Sequence, residues 1–199
     1  MAMDVRERIS IQGMKAGLGR PRSIGLTFIE LLTTIALMAV LLTVAIPAFD
    51  TLLTTNRFAT SANLYLTSLH LARSEAIKRN ARVVLCKSAD SVSCTANGRW
   101  DQGWIVFHDV NNNAQVDGGE TLIRAYEALP ADLALGGNAP VANYVSYAAI
   151  GATRLTSGAF QAGTLTICRI SAGGGEARQI VISGTGRPRV QQVNVGACP

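Results

Sequence analysis

Residues 23–47 read SIGLTFIELLTTIALMAVLLTVAIP, an apolar run that decides how the rest of the chain is arranged. Glu30 is the only charged residue of this run, and the next charge along the chain is Asp50. A helix rises about 1.5 Å per residue, so the roughly twenty residues from Leu26 to Ile46 span about 30 Å, the thickness of the hydrocarbon core of a bilayer. The stretch therefore predicts a membrane-spanning helix.

The positive charge of the chain is concentrated in front of this helix. The 199 residues carry a formal net charge of +5, of which residues 1–25 contribute +3, from five basic and two acidic side chains. The remainder is close to neutral, at +2, so overall composition points to no nucleic-acid partner, and any such site must be local. Because basic residues beside an apolar span stay in the cytoplasm, we expect the C-terminal domain outside it.

The residues around the apolar run indicate which kind of leader precedes it. A secretory signal peptide is cleaved after its apolar region, at a small-x-small site, whereas here the small residue Gly25 comes before the run. The stretch GLTFIE at residues 25–30 resembles the prepilin peptidase signal of type IV pilins and type II secretion pseudopilins. The resemblance implies that a prepilin peptidase removes residues 1–25, that Leu26 is N-methylated, and that Glu30 acts in assembly. The usual residue after the glycine is Phe, and Leu26 departs from that pattern.

Physical chemistry also singles out Glu30. A charged side chain at the centre of a membrane helix costs about 2.5 kcal/mol or more, and less toward the interface, so it needs a partner or a function. Cleavage after Gly25 would create an amine four residues away. The resemblance places Glu30 against the N-terminal amine of the neighbouring subunit in a helical filament. The alternative is a carboxylate that lies at headgroup depth and has no function.

The helical pattern continues beyond Pro47. We therefore expect one helix that is kinked at Pro47, with a transmembrane and assembly half over residues 26–49 and an amphipathic half over residues 50–80. Asn80 is the predicted stop. The apolar residues of the second half recur at intervals of three, four or seven, with polar residues opposite; they are Leu52, Ala59, Ala62, Leu66, Leu69 and Ala76.

From residue 81 onward the sequence period is that of strands. A long helix followed by antiparallel strands predicts an α+β fold, in which residues 81–199 form a sheet wrapped on the amphipathic half of the helix. Gly- and Asn-rich turns, among them residues 136–138, separate the strands. The seven predicted strands are Arg82–Cys86, Gly103–Phe107, Thr121–Arg124, Tyr144–Tyr147, Thr164–Cys168, Gln179–Ser183 and Arg189–Val195.

The four cysteines suit an oxidising compartment outside the cytoplasm. Four cysteines allow three disulfide connectivities, and the local spacing favours Cys86 with Cys94 and Cys168 with Cys198. Zinc is the competing interpretation, but the chain has no Cys-x-x-Cys pair and no histidine at ligand spacing. We therefore expect two disulfides and no metal at the cysteines.

The resemblance to pilin-like proteins extends well past the leader. LARSEAIKR at residues 71–79, VVLCKS at 83–88, GWIVF at 103–107 and DGGE at 117–120 resemble the minor pilins and pseudopilins typified by FimT and GspH. The resemblance covers the chain from Gly25 nearly to its end. It implies a type IV pilin-like fold and other pilins or pseudopilins as partners.

The stretch GTGRPRV at residues 184–190 is the most informative C-terminal motif. Arg187 and Arg189 flank a proline beside two glycines, so both guanidinium groups should lie on a tight, exposed turn. The planar fork of arginine pairs bidentately with phosphate. The motif thus suits an anionic ligand, and the alternative is a solvated basic turn between strands.

The family resemblance gives that motif a function. FimT-like minor pilins carry a Gly-Arg-x-Arg motif near the C-terminus, which binds DNA for uptake in natural transformation. By this resemblance Arg187 and Arg189, together with Gly186, bind DNA without sequence preference. Arg178 and Arg169 are further candidates.

A second candidate site is the stretch DVNNNAQVDGGE at residues 109–120. Its sixth position, where an EF-hand calcium loop has glycine, is Ala114, and strands rather than helices flank it. Asn and Gly are also what a long hairpin turn requires, and that is the alternative. Five side chains match the oxygen-ligand offsets of an EF-hand, namely Asp109, Asn111, Asn113, Asp117 and Glu120.

The sequence indicates neither an enzyme nor a cofactor. Neither His70 nor His108 accompanies a serine or cysteine nucleophile signature, and no glycine-rich phosphate loop precedes a helix. We interpret the chain as a minor type IV pilin, single-pass in the inner membrane with its C-terminal domain in the periplasm, that enters a pilus and binds DNA. The alternative is an H-type minor pseudopilin with a structural role in type II secretion.

Overall fold

The structure, a computed structural model, describes residues 25–170 and 174–198. The chain divides into two compact units, residues 1–47 and residues 48–199. Short 3₁₀ turns lie at Trp100–Gln102 and Ala139–Val141. Within the described residues one helix, α1 (Phe28–Arg79), precedes eight strands: β1 (Val83–Lys87), β2 (Trp104–His108), β3 (Leu122–Tyr126), β4 (Leu133–Gly137), β5 (Tyr144–Tyr147), β6 (Gly163–Arg169), β7 (Gly175–Ile182) and β8 (Pro188–Val195).

The first unit contains the N-terminal part of α1. Phe28–Ile46 is long and apolar enough to span a membrane, and nearly all its side chains are exposed. The hydroxyls of Thr33, Thr34 and Thr43 donate to backbone carbonyl oxygens three residues earlier, at 2.7 to 3.0 Å. Each threonine thus satisfies its donor within the helix, as an apolar surrounding requires. The helix runs through Pro47 without interruption, and the kink predicted there stays a prediction.

Both ends of α1 are capped. The Thr27 hydroxyl accepts the N–H of Glu30 at 3.3 Å, which is an N-cap. At the other end Asn80 has a φ of +49°, and the N–H of Ala81 donates to the carbonyl oxygen of Ala76 at 3.2 Å. This is the Schellman arrangement, in which a residue with positive φ ends the helix. The predicted stop at Asn80 is confirmed.

The second unit contains two antiparallel four-stranded sheets rather than one. The strand order is β3–β2–β1–β5 in the first sheet and β4–β6–β7–β8 in the second. The predicted strands do not include β4, because Gly136 and Gly137 indicate a turn. In the structure these two glycines pair with Thr166 and Leu165 of β6. A Cβ on Gly137 would lie 2.5 Å from the carbonyl oxygen of Val141, so close approach of two backbones requires the glycine.

Helix α1 and the two sheets share one hydrophobic core. The predicted apolar stripe is confirmed at Ala62, Leu69 and Ala76, which are fully buried, and is wrong at Leu52, which is 60% exposed. The predicted stripe does not include Tyr65, which carries a polar hydroxyl, yet this side chain is completely buried. The helix residues of the core recur at intervals of four and three; they are Phe58, Ala62, Tyr65, Leu69, Ala72 and Ala76.

Two disulfides close the second unit. Cys86 is joined to Cys94 and Cys168 to Cys198, the pairing that the sequence spacing favoured. The first closes a small loop after β1. The second attaches the end of the chain to β6 in the second sheet, so the C-terminal strand β8 is held at both ends.

Candidate nucleic-acid interface

The C-terminal arginine motif forms the hairpin turn between β7 and β8. The N–H of Ser183 donates to the carbonyl oxygen of Arg187 at 3.3 Å, and the N–H of Gly186 donates to that of Ser183 at 2.8 Å. The Ser183 hydroxyl also accepts the N–H of Arg187 at 3.3 Å. Gly186 has a φ of +77°, which fits a hairpin whose tight turn is followed by a left-handed residue.

Two contacts with the segment after β5 hold this turn against the rest of the unit. Gly186 is buried, and a Cβ on it would overlap the carbonyl oxygen of Gly151, in the loop after β5. Two residues further along the same segment, the Thr153 hydroxyl lies 3.0 Å from the carbonyl oxygen of Ser183. The backbone that carries the two arginines therefore has little freedom to lose when a ligand binds.

Both arginine side chains of the turn are open to solvent. Arg187 and Arg189 are exposed, and neither guanidinium makes a hydrogen bond or ion pair within the part of the chain that the structure describes. Arg189 pairs with Val181 and shares its face with Gln179 and Gln191, whose side-chain amides bond at 3.0 Å. The pair therefore stands beside a neutral polar surface.

The strand register separates the other candidate arginines from this turn. Arg178 pairs with Ile167 of β6 and shares a strand face with the buried Ile180, opposite to the face of Arg189. It is half-buried, and its Nε finds no hydrogen-bond partner among the described residues. Arg169, two residues after Ile167, lies on the same side as Arg178. Neither belongs to the site.

The C-terminal third of the chain is locally basic. Residues 133–199 contain five arginines and one acidic residue, Glu176, which gives a net charge of +4, whereas residues 26–132 carry −2. One of these five, Arg154, lies on the hairpin next to the turn and was not selected from the sequence. No motif marks it, and only the uneven distribution of charge could have drawn attention to it.

Residues 109–120 form the loop between β2 and β3. The buried carboxylate of Asp109 accepts the N–H groups of Asn113 at 3.1 Å and Ala114 at 3.0 Å. Burial raises the pKa of Asp109 above its usual value. Asp117 accepts hydrogen bonds from the side-chain amides of Asn111 and Asn113, both at 2.7 Å, and these lower the pKa of Asp117.

The remaining contacts of this loop are also internal. Glu120 accepts the N–H of Val110 at 2.8 Å and that of Asp117 at 3.1 Å. Ala114 takes a φ of +59°, in the position where an EF-hand has glycine. Within residues 25–170 and 174–198 no group of three or more His, Cys, Asp and Glu could hold a metal ion. Each of the five side chains predicted as a calcium ligand thus makes a hydrogen bond within the loop.

The residues assigned to processing and assembly lie at the start of the described chain. Gly25 and Leu26 are exposed and precede α1, while residues 1–24 of the predicted leader lie outside the described residues. Glu30 is in the first turn of α1 and is exposed. Its backbone is held by the cap on Thr27, and its carboxylate makes no ion pair with a described residue.

Comparison with known proteins identifies the family. A family model described as "Type II transport protein GspH" matches residues 61–186, which is more than half of the chain. The chain therefore belongs to the GspH family and is a type IV pilin-like minor pilin or pseudopilin, as its sequence resemblance predicted. No curated protein matches it.

Solved structures of a minor pilin and of a minor pseudopilin are similar to this chain. The type IV minor pilin FimU of Pseudomonas aeruginosa PAO1 superimposes with a TM-score of 0.55 at 18% identity, covering 73% of this chain and 98% of FimU. The minor pseudopilin EpsH of the Vibrio cholerae type 2 secretion system gives a TM-score of 0.46 at 14% identity, covering 68% and 96%. The likeness to FimU confirms the predicted α+β fold, with a long N-terminal helix packed on antiparallel sheets.

The family match ends just before the arginine pair. Its last residue is Gly186, so Arg187 and Arg189 lie one and three residues beyond it. Membership of the family therefore assigns the fold but says nothing about these two side chains.

Proposed function

We propose that this protein is a minor subunit of a type IV pilus and that its β7–β8 turn binds DNA through Arg187 and Arg189. The observation that supports this most strongly is the pair of exposed guanidinium groups without protein partners, on a turn held by Gly186. Arginine pairs bidentately with phosphate, and phosphate contacts carry no base information. The ligand is accordingly DNA of any sequence.

The apolar segment supplies the anchor in this proposal. It holds the unassembled chain in the inner membrane as a single span, with its N-terminus in the cytoplasm and its globular unit in the periplasm. A prepilin peptidase cleaves after Gly25, and the new N-terminal residue, Leu26, is N-methylated. The chain then joins other pilins in the filament.

Glu30 pairs with the N-terminal amine of a neighbouring subunit during assembly. At about 4 Å and an effective dielectric constant near 20, such a pair contributes about 4 kcal/mol before the cost of desolvation is subtracted. Glu30→Ala should therefore remove the protein from isolated filaments, as an immunoblot would report. Incorporation at the normal level would contradict the pairing.

The DNA proposal is tested on the full chain in detergent micelles. The double variant Arg187→Ala/Arg189→Ala should lose at least tenfold in affinity for a fluorescent DNA duplex, because charge-assisted hydrogen bonds contribute about 1.5–3 kcal/mol each. With two phosphate contacts, the logarithm of the affinity should fall against the logarithm of the salt concentration with a slope of about −2. The double variant should lose this salt dependence. One subunit binds weakly, and several subunits in a filament bind by avidity.

A charge-matched variant is the control. Arg124→Ala/Arg169→Ala removes two exposed arginines that lie away from the turn. It should bind DNA as the unmodified chain does. Equal losses in the two double variants would mean that general positive charge, and not the turn, attracts DNA, and the proposal would fail.

A second candidate function is that of a minor pseudopilin in type II secretion. The match to the GspH family favours it, because the description of that family names type II transport. In this case the domain supports assembly of the export machinery, and the arginine turn is incidental. Deletion of the gene separates the two functions: loss of DNA uptake supports the first, and loss of protein export supports the second.

A further inference from the structure

A second hairpin, residues 153–161, lies directly after β5. Arg154 and Phe160 face each other across it in an antiparallel bridge. The N–H of Leu155 donates to the carbonyl oxygen of Ala159 at 2.8 Å, and the N–H of Gly158 donates to that of Leu155 at 2.9 Å. The hairpin is therefore a closed, hydrogen-bonded element and not a loose loop.

This hairpin is attached to the arginine turn. The Thr153 hydroxyl lies 2.6 Å from the carbonyl oxygen of Gln161, at the far end of the hairpin, and 3.0 Å from that of Ser183, at the start of the turn. A Cβ on Gly184 would lie 3.4 Å from Cβ and Cδ1 of Phe160. The Phe160 ring thus stands against the backbone of the turn that carries Arg187.

The Phe160 ring is presented to solvent together with a positive charge. Its side chain is 64% exposed, and the guanidinium carbon of Arg154 lies 3.9 Å from the ring centroid. Ile150, which is 74% exposed, belongs to the loop on which the turn rests. Exposed apolar side chains are ordinary when scattered singly, but here an aromatic ring and cationic groups occur on two adjoining hairpins.

We propose, on the basis of the proposed function, that Phe160 and Arg154 extend the arginine turn into a site for single-stranded nucleic acid. Arg187 and Arg189 bind the phosphates. An unpaired base stacks on one face of the Phe160 ring, while the Arg154 guanidinium lies over the other face. Every base has a π-face, so the stacking tolerates any sequence. In a duplex the bases are stacked on one another and do not reach the ring.

The test measures the affinity of the full chain in detergent micelles for three labelled probes: an oligothymidylate, a strand of the same length without bases, and a duplex. Phe160→Ala should weaken binding of the oligothymidylate about 5- to 100-fold, which is the range for stacking on one aromatic ring. Its binding of the duplex and of the strand without bases should stay within about twofold of the unmodified chain.

Two further variants keep the test decisive. Phe160→Trp should retain the affinity for the oligothymidylate, and stacking of a base should quench the fluorescence of the new indole. Phe49→Ala removes a ring of the same exposure, 65%, from helix α1, and should change none of the three affinities. Circular dichroism of Phe160→Ala should match the unmodified chain, because an exposed ring adds little to the core.

The failure of this inference can be told apart from failure of the proposed function. Equal losses for the oligothymidylate and the duplex in Phe160→Ala, or no loss for either, would overturn the stacking site and leave the arginine turn standing. If the unmodified chain bound none of the probes, both would be overturned. Normal binding combined with failure of Phe160→Ala to enter filaments would make the ring a contact between subunits, and would also overturn the inference.

Discussion

The apolar segment Phe28–Ile46 and the β7–β8 turn place opposite demands on the sequence. The segment is exposed over nearly its whole length, so its average apolarity matters more than the shape of any one side chain. In the turn, Gly186 packs against the carbonyl oxygen of Gly151, and the Ser183 hydroxyl accepts the N–H of Arg187. Another residue at either position would change that contact. The first region should therefore tolerate apolar substitutions in general, whereas the turn should not tolerate substitution of Gly186 or Ser183, although its exposed side chains can change.

The largest expected effect concerns processing of the apolar segment. If the proposed cleavage occurs, the mature protein should begin at Leu26, and Gly25→Val should leave the leader attached, because it replaces the small residue at the proposed cleavage site with a branched one. Intact-mass measurement of the protein from membranes gives the answer directly. Thr27→Ser is the control and should be processed normally; a mature protein that still begins at Met1 would contradict the proposed assembly pathway.

The next effect compares one substitution in the two units. Leu69 is fully buried in the core and Leu41 is 69% exposed in the apolar segment. Leu69→Ala should lower the free energy of unfolding of the globular unit by about 2–5 kcal/mol, from lost burial and the cavity that remains. Leu41→Ala should change it by less than about 0.5 kcal/mol. Urea unfolding followed by tryptophan fluorescence measures both, and similar values would invalidate the contrast.

A smaller effect is expected at the arginine turn. Gly186→Ala places a methyl group against the Gly151 carbonyl oxygen and forces a non-glycine residue to a φ of +77°, so it should destabilise the unit by about 1–3 kcal/mol. Gly118 has open space around it and no positive φ. Gly118→Ala is therefore the matched control, with an expected change within about 0.5 kcal/mol. Thermal unfolding of both variants decides whether the turn is as tightly held as its contacts indicate.

The smallest effect lies in a surface pair near the end of α1. Arg79 donates to Glu75 at 2.7 Å, and this hydrogen bond lowers the pKa of Glu75. A carboxyl whose pKa is lower in the folded state stabilises the protein above its unfolded pKa, and this contribution is lost as the pH falls through its folded pKa. Arg79→Gln should therefore cost about 0.3–0.5 kcal/mol at neutral pH and almost nothing at strongly acidic pH.

Arg124→Gln is the control for that pair. Arg124 stacks over the Tyr126 ring and has no carboxylate partner among the described residues. Its effect on the urea midpoint should be the same at neutral and at acidic pH. A cost for Arg79→Gln that does not depend on pH would show that its side chain acts through packing and not through Glu75.

Local patterns were sufficient for the elements and insufficient for their arrangement. The helix stop at Asn80 and seven of the eight strands follow from propensity and turn residues close in sequence. Strand β4 was missed because Gly137 has a role that depends on Val141 and on β6, its partner across the sheet. The sheet divides in two because β4 begins a second set of pairings.

The candidate site shows the same division. Arg187 and Arg189 are recognisable because their glycines and proline are neighbours in sequence. Arg178 was grouped with them on charge alone, and only the pairing of β7 with β6 and β8 places it on the opposite face. Arg154 and Phe160 could not be found in this way, because the contact between their hairpin and the turn joins residues about thirty positions apart.

By itself the sequence determined the apolar segment, the basic residues before it, the family and the arginine motif, because each depends on composition or on residues a few positions apart. The tertiary structure decided the two sheets, the face on which each arginine lies, and the meeting of the Phe160 hairpin with the β7–β8 turn. Those features depend on strand register and on contacts between distant residues, and a shift of one residue in register would move each arginine of a strand to its other face.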